Sequence, residues 1–382
     1  MITFPALPFR CPIRRVPAGT LQFGAPPQVS RFRCRTEPSA ITPRRTSATT
    51  TPPLHFVAQP REGGARPFLK WAGGKGQLVP ELVARAPRHV DTYFEPFLGG
   101  GAMFFALAGD PDLAPRRAVL NDANHELATV YEVVRDHLPR LLARLDALAT
   151  PYLAAGPDER AELYYAQRER TPDDAVDTAA RFIFLNKTCF NGLYRVNRKG
   201  EFNVPHGRYL APRILDTPTL RAASLALQGV RIENGDFEVV TTDAKAGDFV
   251  YLDPPFEPLS KTSSFTGYTE GAFDRHEQVR LKWLFDDLTD RGVAAMLSNS
   301  PAEWLVGVYE GERRGYQIDR TPARRAINSR GDRRGVMDEL IVTNYAPELA
   351  RGRLESSSSS ASTSSPASSS GTKAARGTGK TK

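Results

Sequence analysis

Short β-rich segments that alternate with helical sequence are the feature that most constrains the fold of this chain. The strand candidates are Val90–Glu95, Ala118–Asn121, Val230–Glu233, Phe249–Leu252 and Val293–Ser298. Strands separated by crossover helices form mostly parallel sheets. Each of the first four strands ends at a loop with an acidic or Gly-rich cluster, and open α/β sheets bind ligands at that edge. We therefore expect an α/β fold, a doubly wound Rossmann-like sheet with a ligand site at the carboxyl ends of its strands.

Mainly helical sequence interrupts this alternation and predicts an inserted domain over residues 127–209. The insertion would divide the sheet domain into residues 66–126 and 210–347. Residues 1–65 are rich in Pro, Arg, Ser and Thr, and residues 348–382 are rich in Ser. Such compositions bury too little apolar surface to offset the entropy lost on ordering, so both segments are predicted to be disordered. The first also resembles a transit peptide, which leaves organelle targeting open; otherwise we expect a cytoplasmic, nucleoid-associated protein.

The formal charge of +8 is concentrated at the two ends of the chain. Residues 1–65 carry nine Arg against two acids, net +7, and residues 351–382 carry six bases against one acid, net +5. Subtracting both from the total leaves −4 for residues 66–350. Specific contacts to a polyanion must therefore come from local basic clusters in the core. No segment approaches the roughly 18 uncharged apolar residues of a membrane helix, and the three Cys form no close-spaced pair that would indicate a zinc or disulfide site.

Two patterns at the strand ends suggest a nucleoside-containing ligand. The segment FEPFLGGGAMFF at 94–105 runs from a strand through three glycines into a helix start, where free amides and a bare backbone allow close approach. Asp122 closes the second strand, the usual place of a ribose-binding acid, and Asp236 with Phe237 could hold an adenine by its amino group and ring face. The alternatives are a tight turn for the glycines and helix N-caps for the two acids.

The segment YLDPPF at 251–256 is the most specific element, because an apolar strand ends in Asp, two prolines and an aromatic residue. The prolines lack N–H donors and have a restricted φ, so the Asp253 carboxylate and the Pro254 carbonyl can present two acceptors to one small space. An exocyclic amino group on a nucleic-acid base needs such acceptors to direct its nitrogen at an electrophile. Phe256 would stack on that base once it leaves the duplex.

Five blocks in one order resemble the Dam-type (class alpha) DNA adenine-specific methyltransferase family, over residues 66–346. They are FLKWAGGKGQL (68–78), FEPFLGGGAMFF (94–105), NGLYRVNRKGEFNVPHGRY (191–209), YLDPPFEPLSKTSSFTGY (251–268) and RRGVMDELIVTNY (333–345). The resemblance implies methyl transfer from S-adenosylmethionine (AdoMet) to N6 of a flipped adenine, in a restriction-modification system or without one. It also implies double-stranded DNA as the partner, with a monomer and no metal expected.

The resemblance also assigns site residues. The cofactor-binding positions are Trp71, Lys75, Gly99, Gly101, Asp122, Asp236, Phe237 and Asp253. The catalytic motif is Asp253, Pro254, Pro255 and Phe256. The family more often has Tyr at the last position, so a hydroxyl is lost here while the stacking face remains.

The block at 191–209 resembles the recognition hairpin of family members that methylate adenine within GATC, and the inserted domain is accordingly expected to recognise the target. Arg195 matches an arginine that reads guanine, whose two major-groove acceptors fit a guanidinium, and Lys70 is a second candidate contact. The predicted phosphate contacts are Arg198, Lys199, Arg208, Arg324 and Arg325. Two other functions stay open: a DNA methyltransferase specific for N4 of cytosine, and a DNA-binding module that has lost catalysis.

Overall fold

A computed structural model describes residues 64–197, 199–257, 273–311, 314–324 and 336–347. Seven strands within these ranges form one sheet: β1 (Thr92–Glu95), β2 (Arg117–Asn121), β3 (Arg231–Glu233), β4 (Phe249–Leu252), β5 (Ala294–Asn299), β6 (Gln317–Arg324) and β7 (Val336–Thr343). Their spatial order is β3-β2-β1-β4-β5-β7-β6. The first five strands of that order run parallel, whereas β7 is antiparallel to both of its neighbours.

The helices of the described residues mostly follow the strands as crossover connections. They are α1 (Val79–Arg85), α2 (Ala102–Ala108), α3 (His125–Asp136), α4 (Leu138–Ala154), α5 (Pro157–Glu169), α6 (Ala175–Thr188), α7 (Thr217–Ala226), α8 (Phe237–Val240), α9 (Arg275–Asp290) and α10 (Glu303–Glu310). An Asn or Asp side chain at the N-cap accepts a backbone N–H from the first turn of five of them, α3, α6, α7, α8 and α9. Short acceptors at these positions explain where the helices begin.

Both faces of the sheet are covered, which explains why its central strands read as continuous apolar runs. Side chains alternate between the faces, so Phe249 and Tyr251 of β4 join one core while Val250 and Leu252 join the other. The first core includes α1, α2, α3 and α7, and the second includes α8, α9 and α10. The sheet is therefore a rigid central layer, and its loops are positioned from both sides.

The helices α4, α5 and α6 lie between β2 and β3 in the chain, where the sequence predicts mainly helical structure. Leu145 of α4, Tyr164 of α5 and Phe184 of α6 pack into the same core as α3 and the first sheet face. The division into a catalytic domain and a target-recognition domain at residues 127–209 stays a prediction.

All five predicted strands are present within two residues of their expected ends, and the predicted α/β sheet is confirmed. The antiparallel strands β6 and β7 extend the sheet beyond the five strand candidates. Across the described ranges, each helix is too short or too polar to cross a lipid bilayer.

Candidate active site

The loops after β1, β2, β3 and β4 meet at one edge of the sheet, because parallel strands all end on the same side. Asn121, the last residue of β2, joins three of them. Its Nδ2 donates to the Pro96 carbonyl after β1, at 2.9 Å, and to the Gly235 carbonyl after β3, at 3.1 Å. The direction of chain connection reverses between β1 and β4, and such a switch point opens a crevice for a ligand. The Gly-rich loop and the Asp-Pro-Pro-Phe segment flank this crevice.

The Gly-rich loop follows β1 and is closed on one side by Trp71. Gly99 has φ of +48°, and a Cβ there would lie 2.6 Å from Cδ1 of the Trp71 ring. Any side chain would therefore collide with the indole, in addition to the strain of the left-handed conformation. The Tyr131 hydroxyl of α3 donates to the Gly99 carbonyl at 3.1 Å. Gly101, with φ of +66°, is the N-cap of α2. The Trp71 ring, the Tyr131 hydroxyl and the left-handed glycines thus hold the loop in one conformation.

Asp122 links the end of β2 to this loop. Its Oδ2 accepts the Gly99 N–H at 3.0 Å and its Oδ1 accepts the Asn124 N–H at 2.9 Å. Burial raises the pKa of Asp122, and these two backbone donors oppose that rise. Each carboxylate oxygen has a second lone pair, so Asp122 can still accept ligand hydroxyl groups.

Asp236 and Phe237 follow β3 and have different surroundings. Asp236 caps α8, and both of its carboxylate oxygens lie 3.0–3.1 Å from Nη2 of Arg280 on α9. Phe237 is buried and packs against Phe97, with ring centroids 5.3 Å apart. Phe97 lies in the loop after β1, so this aromatic pair brings the ends of β1 and β3 together.

Asp253 follows β4 and has two polar partners on the same oxygen. Nζ of Lys75 lies 2.9 Å from Oδ1, and the Ser298 hydroxyl donates to Oδ1 at 2.9 Å. Burial raises the pKa of Asp253, while the Lys75 charge and the Ser298 hydrogen bond lower it. Lys75 itself is only 5% exposed and also lies 3.8 Å from Glu339 of β7. The ion pair therefore favours an ionised Asp253 in an otherwise unfavourable place for charge.

The three residues after Asp253 form the rim of the crevice. Pro254 is buried, Pro255 is exposed, and Phe256 is half-buried with its ring 4.0 Å from Nζ of Lys75. The Pro255 carbonyl accepts a hydrogen bond from Nε2 of the buried Gln278 of α9 at 3.0 Å. One ammonium group thus contacts both the carboxylate and the aromatic ring of the motif.

Glu95, the last residue of β1, is a buried acid that the sequence did not single out as a separate site residue. It is 2% exposed, and its Oε2 accepts the Tyr93 hydroxyl at 2.8 Å and the Phe104 N–H at 3.1 Å. Burial is the main reason that its pKa rises to about 8; the Tyr93 hydrogen bond lowers the pKa, and the negative charge of Asp253 raises it. The available signal was an acid at the end of an apolar strand, four residues before the first glycine of the turn.

The predicted base-reading residues lie on two connected segments. The Lys70 N–H donates to Oδ1 of Asn186 on α6 at 2.9 Å, and its Nζ lies 4.2 Å from the centre of the Tyr209 ring. Arg195 is exposed and donates from Nε to Oδ1 of Asn203 at 2.7 Å across a short antiparallel turn. Lys70 therefore lies beside Tyr209, at the end of the segment 191–209, and Arg195 lies near the start of the same segment.

The predicted phosphate contacts are described only in part. Lys199 and Arg208 are exposed. Arg324 ends β6, where only its backbone is described, and Arg198 and Arg325 lie outside the described residues.

Arg160 at the first turn of α5 ties the end of the segment 191–210 to the helices. It donates to the carbonyls of Tyr152 and Leu153 at the end of α4, at 2.9 and 2.8 Å, and to the Leu210 carbonyl at 2.8 Å. The Tyr152 hydroxyl is 2.7 Å from Nε2 of His206. Helices α4 and α5 therefore hold the segment 204–210 in place.

A sheet of this order, with a Gly-rich loop and acidic residues at its switch point, is typical of α/β proteins that bind nucleoside-containing ligands. Comparison with known proteins specifies the class. Residues 71–327 match the family model described as D12 class N6 adenine-specific DNA methyltransferase. The chain is 42% identical over 293 residues to the type II methyltransferase M.MjaIII of Methanocaldococcus jannaschii, an alignment that covers 73% of this chain and 99% of that protein.

Two further relatives support the match. Identity is 40% over 289 residues to the type II methyltransferase M1.LlaDCHI of Lactococcus lactis subsp. cremoris, covering 73% of this chain and 95% of that protein. It is 32% over 289 residues to the DNA adenine methylase of Escherichia coli K12, covering 74% and 96%. This chain belongs to the D12 class N6 adenine-specific DNA methyltransferase family and is an AdoMet-dependent enzyme that acts on adenine in DNA. The family expected from the sequence blocks is confirmed.

Proposed function

We propose that this enzyme methylates N6 of an adenine within GATC after the base has flipped out of the duplex. We also propose that the Asp253 carboxylate is its catalytic group. The observation that carries the proposal is the position of Asp253. It lies at the switch point, beside the Gly-rich loop, and forms an ion pair with Lys75 at 2.9 Å, which opposes the rise of its pKa caused by burial. A stacked and paired base cannot reach a carboxylate in such a crevice, so the adenine must leave the helix.

The residues at the strand ends fit AdoMet, which supplies an activated methyl group when bound. Gly99 presents backbone without a Cβ next to Trp71, and Gly101 does so next to the Tyr131 hydroxyl. Asp122 has free acceptor capacity for the ribose hydroxyls. Asp236, held by Arg280, would face the adenine end of AdoMet. The buried Phe237 would line the same part of the site. Lys75 would contribute by holding the Gly73 carbonyl and the Asp253 carboxylate close to each other.

The chain's own residues then prepare the target nitrogen. The Asp253 carboxylate and the Pro254 carbonyl accept the two amino hydrogens of adenine, and Phe256 stacks on the ring. Holding both hydrogens directs the nitrogen lone pair at the methyl carbon, and the carboxylate stabilises positive charge as it develops on nitrogen. The proton released afterwards passes from the amine to water. No covalent enzyme intermediate is needed.

GATC as the target is supported by the segment 191–209 and its surroundings. Arg195 is exposed at a short antiparallel turn, as direct reading of guanine requires. Lys70 stands over Tyr209 at the other end of the segment, and Lys199 and Arg208 are exposed for phosphate contact.

Nucleoside mass spectrometry of plasmid DNA from a methylation-deficient host expressing the full chain tests the reaction. The expected product is N6-methyladenine, absent with Asp253→Ala, whose AdoMet affinity should be measured in parallel. Methylated cytosine would move the assignment to N4 of cytosine. DNA binding without any methylation by the wild-type chain would favour a protein that has lost catalysis.

Site mapping tests GATC separately. Methylated positions in the plasmid should all lie in GATC, and Arg195→Ala should reduce discrimination at one guanine by about 1–3 kcal/mol. Lys199→Ala is the matched control, because loss of a phosphate contact weakens binding to all sequences alike and lowers the salt dependence. Methylation at a different motif would refute GATC and leave the adenine chemistry intact.

A further inference from the structure

We propose that Ser298, itself held by Tyr251, positions Asp253 for methyl transfer by fixing the plane of the carboxylate, so that the second oxygen faces the target amine. This inference rests on the proposed catalytic role of Asp253. Ser298 makes no contact with a substrate in this proposal and is a positioning residue.

The sheet places the three side chains together. Leu252 of β4 pairs in register with Leu297 of β5, so Asp253 and Ser298 follow at the same level on adjacent parallel strands. Tyr251 lies two residues before Asp253 and therefore points to the same side of the sheet. The Ser298 Oγ is 2.9 Å from the Asp253 Oδ1 and 2.9 Å from the Tyr251 hydroxyl.

The direction of the two hydrogen bonds follows from their chemistry. An ionised carboxylate can only accept, so Ser298 uses its single proton on Asp253. Its oxygen must then accept from Tyr251. Ser298 is fully buried and Tyr251 is 1% exposed, so water does not compete for either bond. The two hydrogen bonds therefore point in one direction, from Tyr251 to Ser298 and from Ser298 to Asp253.

The consequence concerns the second oxygen of Asp253. Ser298 and Lys75 both bind Oδ1, and neither uses Oδ2. With one oxygen held from two directions, the plane of the carboxylate is fixed, and the other oxygen is left to accept from the substrate. Lys75 alone would act as a point charge on a flexible stem and would not fix this rotation. Ser298, on a buried strand, provides the geometric restraint.

The charged groups around Asp253 set the expected pH response. Lys75 stabilises the carboxylate form, whereas Glu95 of β1 and Glu339 of β7 are acids within electrostatic range of this cluster. The buried phenols Tyr93 and Tyr251 stay protonated, because burial raises the pKa of each well above its usual range. Removing the Ser298 hydroxyl leaves all these groups in place and deletes two hydrogen bonds, the one that it donates to the Asp253 carboxylate and the one that it accepts from Tyr251.

The test is steady-state methylation of a cognate duplex by the full-length Ser298→Ala and Tyr251→Phe variants. Ser298→Ala should lower kcat by about tenfold or more, since a misplaced reacting group costs rate rather than binding. The KM values for AdoMet and DNA should stay within about twofold of wild type. The acid limb of the kcat profile should move to higher pH by up to about one unit, because a hydrogen bond to the charged form lowers a pKa. Tyr251→Phe should give a smaller change in the same direction.

Thr343→Val is the matched control, because it deletes another buried hydroxyl from the adjacent strand. That hydroxyl donates to the Tyr345 carbonyl and not to Asp253. The control should lower thermal stability to a similar degree but leave kcat and its pH profile unchanged. Ser298→Cys, which keeps a weak donor, should recover part of the lost kcat.

Four outcomes decide the matter. A kcat loss with a shifted acid limb in Ser298→Ala, and neither in Thr343→Val, supports the positioning role. A Ser298→Ala enzyme with wild-type kcat and profile overturns it, as does equal loss in both variants without a pH shift. An active Asp253→Asn enzyme would instead remove the proposed function of Asp253 itself, which separates the two failures.

Discussion

The buried acid Glu95 should make the stability of this enzyme fall as pH rises. The pKa of Glu95 rises from its ordinary value of 4.5 to about 8 in the folded protein, mainly because of burial. Each unit between the two values is equivalent to about 1.4 kcal/mol, so ionisation in the folded state costs about 5 kcal/mol more than in the unfolded chain. Glu95→Gln removes this cost, because the amide oxygen can still accept from Tyr93 and Phe104 while carrying no charge.

The sign follows from where the protons reside. Below pH 4.5 Glu95 is protonated in both states, and its contribution to stability is fully present. Between pH 4.5 and about 8 the unfolded chain loses this proton while the folded protein keeps it, so the free energy of unfolding falls by about 1.4 kcal/mol per pH unit. Above about pH 8 both states are ionised and the loss is complete. The Gln variant should therefore become more stable, relative to wild type, as pH rises through this window.

Urea unfolding at half-unit intervals from pH 4.5 to 9, followed by tryptophan fluorescence, measures the difference between the two proteins. A second variant, Tyr93→Phe, removes the hydroxyl hydrogen bond that lowers the pKa of Glu95. The free energy of unfolding of this variant should therefore continue to fall above pH 8. A stability difference between wild type and Glu95→Gln that stays constant within about 1 kcal/mol over the whole range would refute the reasoning.

Three further changes test the site from other directions. Lys75→Met removes the cation that lowers the pKa of Asp253, so a pH–rate profile should show at least about tenfold loss at pH 7 and partial recovery toward pH 9; a parallel loss at all pH values would contradict this. Gly99→Ala forces a Cβ against Trp71, and calorimetry should show AdoMet affinity reduced about tenfold or more, with a smaller loss of DNA affinity because Trp71 also stacks on Tyr194 beside Arg195. Arg160→Ala should weaken DNA binding by about 1–2 kcal/mol in fluorescence anisotropy, whereas equal weakening of AdoMet binding would count against a local role.

Much of the fold could be predicted because its signals are local. Each central strand is a short apolar run that ends in a polar or Gly-rich loop, and both faces of the sheet are buried, so the runs are unbroken. The antiparallel pair β6 and β7 was harder, because β6 carries Asp319 and Arg320 and lies at the sheet edge. Its apolar pattern is correspondingly weak.

The catalytic segment was also readable, since Asp253 and the residues after it are contiguous. The contacts that tune it join distant parts of the chain. Lys75 lies far before Asp253 in the chain and Ser298 lies far after it, yet both contact its carboxylate. No local sequence pattern indicates either contact. Lys75 was predicted to bind AdoMet, and that role stays a prediction beside the observed ion pair. Arg280 likewise meets Asp236 only because α9 packs beside α8.

The neighbouring residues Lys70 and Trp71 connect the Gly-rich loop, where we expect AdoMet, with the segment 191–209, where we expect DNA. Trp71 closes the Gly-rich loop on one side and stacks on Tyr194, next to Arg195, on the other, with ring centroids 5.6 Å apart. Lys70 stands over Tyr209. Because the same indole touches both parts of the molecule, we expect AdoMet affinity and DNA affinity to be coupled. By thermodynamic reciprocity, whatever factor AdoMet contributes to DNA affinity, DNA must return to AdoMet.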